Sequence, residues 1–134
     1  MANEAVLKLR RGHPVDMVVT DTNAIEKGAL LILTDARTCS GTVVTTAGAQ
    51  YAGVAAREKI ASDGRTRIAV FPPGVGNVYD MKANNDAIQV GDKVVMSGIN
   101  LIRAATSAEV LSGVAVIGTA LETASGNEVI EVLR

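Results

Sequence analysis

Few side chains in this chain have the type and spacing that chemistry needs. There is one histidine, His13, and one cysteine, Cys39. A nucleophile and base work together only when the imidazole is held by a third group, and His13 lies between Gly12 and Pro14 in what reads as a loop. Cys39 has no second cysteine with which to close a disulfide or begin a structural zinc site, so it reads as a small, partly buried thiol. Pro72-Pro73-Gly74-Val75-Gly76 is similar to part of a phosphate-cradling loop. However, Asn77-Val78 stand where Lys and Ser or Thr would complete it, and Phe71 takes the leading glycine position. Asp16, Asp21, Asp35, Asp63, Asp80, Asp86 and Asp92 fall mostly at strand ends and turns, where a carboxylate bonds nearby backbone amides, and no spacing selects a general acid and base from among them. We expect no catalytic residue, no cofactor-binding residue, no metal site and no enzyme activity.

The elements around these residues point to β structure. Short stretches rich in β-branched residues lie between glycines: Val15–Thr20, Ala29–Thr34, Thr42–Thr46, Arg65–Phe71, Lys93–Met96, Val114–Ile117 and Val129–Leu133. Helical periodicity is confined to Ala104–Ser112. The expected fold is all-β, a small barrel or sandwich of short strands with at most one short helix. With 48% hydrophobic residues among 134, the chain has ample material for a core, yet Tyr51, Phe71 and Tyr79 are its whole aromatic supply.

The order of signals repeats. Asn23-Ala24-Ile25-Glu26-Lys27-Gly28 is answered by Asp86-Ala87-Ile88-Gln89-Val90-Gly91, and an aliphatic strand follows each. Tyr51-Ala52-Gly53-Val54-Ala55 is answered by Val116-Ile117-Gly118-Thr119-Ala120, and Gly64 with Ile68–Phe71 by Gly126 with Ile130–Leu133. We therefore expect a single β domain over 15–134, made of related halves at 15–71 and 78–134 and joined by a linker over 72–77, where two prolines forbid ladder donation.

Residues 1–14 stand outside the repeat as an N-terminal arm, in which Lys8, Arg10 and Arg11 interleave with Val6, Leu7 and Leu9. Two readings fit this segment equally: an arm that lies on an acidic neighbouring protein, or an edge strand whose charges discourage aggregation. Thirteen Lys and Arg against fourteen Asp and Glu offer no global attraction for nucleic acid or an anionic membrane. Met1-Ala2-Asn3-Glu4 lacks a secretion-signal pattern and no apolar run is long enough to span a bilayer, so we expect a cytosolic product.

The layout resembles the decoration, or cement, proteins that tailed bacteriophages place on the outside of their heads. The features that carry this are the Met1-Ala2-Asn3 start and Gly12-His13-Pro14-Val15 entering a strand. They continue with Ala24-Ile25-Glu26-Lys27-Gly28 before Ala29-Leu30-Leu31-Ile32, then Ala52-Gly53-Val54-Ala55, then Ile88-Gln89-Val90-Gly91-Asp92-Lys93-Val94-Val95. The resemblance implies a subunit made in the host cytoplasm that joins the outer capsid surface, commonly as a homotrimer. Its partners would be the major capsid protein and its own copies, and it would stabilise the shell without a catalytic residue. Tail-tube or baseplate β proteins share this composition. A small nucleic-acid-binding barrel is a further class, disfavoured by the scarcity of exposed aromatics. From the amphipathic character of the arm, the expected capsid-contact residues are Val6, Leu7, Leu9, Arg10 and Arg11.

Overall fold

Aliphatic runs bounded by Gly, Asn and Asp turns fold as short strands, because β-branched side chains pack well on a pleated surface and the turn residues supply the reversals. The computed structural model describes residues 4–10, 12–41, 50–112 and 116–134. After β1 (Val6–Leu9) come β2 (Val15–Val18), β3 (Leu30–Asp35), β4 (Thr38–Gly41), β5 (Tyr51–Ala55) and β6 (Arg67–Phe71). The last five close into a barrel in the order β2-β4-β3-β5-β6, with β6 returning antiparallel to β2. The second half contains β7 (Val78–Ala83), β8 (Asp86–Ile88), β9 (Lys93–Met96), β10 (Leu101–Ala104), α1 (Ser107–Ser112), β11 (Val116–Ala120), β12 (Ala124–Gly126) and β13 (Val129–Leu133). Here β7-β10-β9-β11-β13 closes through the β13–β7 pairing, while β8 and β12 form a separate ribbon.

The barrels share their backbone bonding as well as their strand order. Gly28 N donates to Ala55 O at 2.8 Å, and Gly91 N donates to Ala120 O at 2.8 Å. Ala55 N donates to Ala29 O and Ala120 N to Asp92 O, while Val19 N donates to Thr66 O and Ala83 N to Glu128 O. Ile25 bridges Lys59 where Ile88 pairs with Ala124. The register also shifts at corresponding places in β5 against β3 and in β11 against β9. At these bulges sit Gly53 and Gly118, where a β-carbon would run into the carbonyl oxygens of Phe71 and Leu133 respectively. Both glycines are thus required by a close backbone approach.

Alternation along the strands sends one set of side chains into each barrel. Val19, Leu31, Cys39, Ala52, Ala55, Ile68 and Val70 fill the first. The other face of β3, β5 and β6 presents Leu30, Tyr51, Val54 and Phe71, and these join the cluster of Met81, Val94, Met96, Ile102, Ile117 and Ile130 that fills the second barrel. Tyr79 belongs to the same cluster, so the entire aromatic supply is gathered where the barrels meet. Two polar links tie this seam. Buried Asn100 accepts from Leu30 N through Oδ1 at 2.9 Å, and buried Asn77 accepts from Gly12 N through Oδ1 at 3.1 Å while its Nδ2 donates to Tyr79 Oη at 3.0 Å.

The all-β expectation and the two related halves hold, and the halves are two complete barrels. Residues 72–77 connect β6 to β7, although Asn77 is structural as well as connecting. The helix is shorter than the periodicity suggests. Leu101–Ala104 form β10 on β9, and Thr106 then starts the helix with a capping box, its Oγ1 accepting from Glu109 N and its N–H donating to Glu109 Oε1. Residues 6–9, read as part of an arm, form a strand on β7. The expected strand Thr42–Thr46 and the start of Val114–Ile117 lie outside the described residues.

Gly53→Ala and Gly118→Ala are each expected to lower stability by roughly 1–3 kcal/mol, the usual cost of overpacking a tight site. Denaturant midpoints of the two variants measure this, and an unchanged midpoint for either would show that its bulge tolerates a side chain.

Candidate interaction surface

The candidate contact residues fall on β1 and its continuation. Ala5 N donates to Gly28 O at 2.7 Å, after which Val6, Leu7 and Leu9 pair with Asp80, Tyr79 and Val78 of β7. This pairing covers an edge of the second barrel that β10 reaches only at Lys82 and Ala83. Strand alternation then divides the set. Leu7 packs against the shared core, whereas Val6 remains 57% exposed. Lys8 points outward, 3.7 Å from Asp80. Exposed Arg10 turns back over the Phe71 ring, its guanidinium carbon 5.3 Å from the centroid, and its Nε donates to Gly12 O. Arg11 lies outside the described residues.

β1 forms one wall of a groove of about 640 Å³. Its lining combines apolar Val6, Leu7, Val54 and Phe71 with the cations Arg10, Lys27 and Arg57 and the acid Glu4. Two shallower hollows continue from Arg57 past Glu58 and Arg65 to Arg67. Sequence spacing did not reveal this cationic side of the first barrel, because Lys27, Arg57 and Arg67 are far apart in the chain and meet only when the barrel closes.

The structure accounts for the ionisable groups with the most altered surroundings as structural bonds. Lys59 is 1% exposed, and its Nζ donates to Asp63 Oδ1 (2.7 Å), Ile60 O (2.7 Å), Asp21 O (2.8 Å) and Asp21 Oδ1 (3.1 Å). Burial alone would lower the lysine pKa, but the Asp63 and Asp21 carboxylates outweigh it and hold the ammonium above its ordinary value. Lys59, with the Arg65 amide, pulls Asp63 down to about 2. The staple pins the loop that carries Arg57 and Arg65 to the turn after β2. In the second barrel, Ala124 takes the place of Lys59 and a true strand pairing does the same work. Arg103 grips Glu109 at 2.7 and 2.8 Å through both carboxylate oxygens, which draws Glu109 down to about 2.

Residues singled out for chemistry take other roles. Cys39 is buried in the first barrel and burial pushes its thiol pKa up. His13 is exposed in the loop between β1 and β2. Several acids make the expected turn bonds: Asp35 accepts from Ala36 N, Asp63 from Arg65 N and Asp92 from Gln89 N. Asp21 and Asp63 do more than cap turns, because together they neutralise Lys59. No three His, Cys, Asp or Glu side chains gather as a metal would require among the described residues, and no helix there is long and apolar enough to cross a membrane. No protein-family model and no curated protein matches the chain.

The acid response follows from Asp63 and Glu109. Each has a folded-state pKa of about 2, depressed from 3.8 and 4.5 respectively, so each contributes stability above its unfolded value and loses that contribution as pH falls toward about 2. Melting temperature should therefore drop as pH is lowered from about 5 to about 2. Asp63→Asn should melt lower than the parent at the upper end and respond less to pH. A parallel pH response in the variant would remove Asp63 from the account.

Proposed function

We propose that this chain is a non-enzymatic assembly subunit that binds the outside of a tailed-phage head and reinforces the shell, as a homotrimer whose partner is the major capsid protein. The observation that carries the reading is the docked β1 strand with the groove it walls. Val6 is presented to solvent from a strand already ordered by β7, and Arg10 is held at the groove by Phe71. A surface built in this way meets a partner with little further ordering cost, which favours affinity. Its apolar floor beside Val6, with Arg10 at the rim, suits a protein surface carrying apolar and acidic side chains.

The layout of the chain supports the same reading. Two closed barrels leave few open strand edges, as suits a subunit packed densely among its own copies. A repeating lattice would add avidity for a trimer, since several weak contacts act together.

Purified protein mixed with heads that lack it should occupy three-fold positions, seen by electron microscopy. Val6→Glu, at a residue that contributes nothing to the core, should weaken attachment by at least about tenfold if it sits at the contact, the effect of losing one central residue. Attachment to tails alone would favour a tail-tube or baseplate subunit, and no attachment to either particle would contradict the assembly reading.

A further inference from the structure

Equivalent places on the two barrels carry opposite charge. Ala56 N donates to Ala69 O at 2.9 Å and Leu121 N donates to Glu131 O at 2.8 Å, so the residues that follow, Arg57 and Glu122, occupy the same position on their barrels. Around Arg57 lie Lys27, Arg65 and Arg67, with Glu58 and Asp16 among them and Arg65 3.6 Å from Asp63. Around Glu122 lie Glu131 and Asp80, directly opposite each other across β13 and β7, with Lys8 3.7 Å from Asp80 and Lys82 paired with Val129 two residues along the same strands. The neighbouring Glu122 carboxyl, then burial, push the pKa of Glu131 up, the sign of negative charge crowded beyond what Lys8 relieves.

The asymmetry extends over the chain. Residues 1–71 hold nine Lys and Arg against seven Asp and Glu, while residues 78–134 hold four against seven. Each face also leaves large apolar side chains in solvent, Ile60 on the cationic side and Leu121 and Val129 on the acidic side. Among the described residues no ion pair within the chain joins the two sets. A duplicated backbone with reversed surface charge is self-complementary between copies, because the first barrel of one copy can meet the second barrel of the next.

We propose that copies of this chain associate head to tail, the cationic face around Arg57 of one copy docking on the acidic face around Glu122 and Glu131 of its neighbour. Unlike faces make a heterologous contact, which closes into a ring when the rotation allows. Charge complementarity sets the register and suppresses pairing of like faces. This names the self-contact of the assembly subunit proposed above, yet it is a property of the isolated protein and is measured without heads.

Sedimentation velocity at low and high salt reads it directly, since screening weakens contacts between exposed charges. The wild type should sediment as an oligomer that loosens as salt rises. Arg57→Glu and Glu122→Arg should each weaken association by at least about tenfold, because each sets like charges face to face. The double reversal R57E/E122R should restore it. Both positions are exposed, and circular dichroism checks that each variant keeps its β signal. A wild type that stays monomeric, an oligomer indifferent to both single reversals, or a double reversal as weak as its parents would overturn the head-to-tail contact. Head occupancy by a monomeric wild type would overturn this contact while leaving the shell reading in place, and a head-to-tail oligomer that ignores heads would do the reverse.

Discussion

Leu30, Tyr51, Val54 and Phe71 project from the outer side of the first barrel into the cluster that fills the second, and this apolar seam is the contact on which the other features depend. A barrel of fewer than about 60 residues buries too small a share of its surface to be secure alone. Joining two lets the aromatics, each with a large area to bury, serve both at once. Asn100 and Asn77 then satisfy backbone and hydroxyl groups that the seam removes from water. With the seam formed, β1 has a fixed edge to pair with, and the groove and the two outer faces hold a constant relation.

Duplication explains why the halves agree in backbone and differ in surface. The matched turn bonds and the paired bulges at Gly53 and Gly118 are constraints on chain path, and a side chain at either glycine would break them. Outward positions are under no such constraint. Arg57 corresponds to Glu122, and the edge that β1 covers on β7 is met on β2 by Arg37, whose guanidinium donates to Asp16 O.

The features visible in sequence were those that constrain the backbone. Gly28 and Gly91 marked the turns, Gly53 and Gly118 the central strands, and Pro72-Pro73 the boundary, because each residue type answers a local steric demand. β4, with Thr38-Cys39-Ser40-Gly41, was hidden by its mixed polarity and shows itself only through pairing with β3. Lys59 was invisible for a different reason: a lysine becomes a core residue only when carboxylates close around it, and beside the nearby Asp63 the second one, Asp21, comes from a distant turn. The candidate contact set was legible as an amphipathic segment, but sequence left open whether it was an arm or an edge strand. Pairing with β7 orders Val6 to Leu9 and turns Leu7 inward.

If the seam makes the two barrels one body, they should open together. Native-state hydrogen exchange at rising denaturant measures this, since it assigns an opening free energy to each cooperative unit. The slowest amides of β5 and β6 should converge on the same opening energy as those of β11 and β13. If the first barrel's amides levelled off at a lower energy and exchanged as a separate unit, the seam would be a mere contact between independent domains, and the fixed two-faced body described above would be wrong.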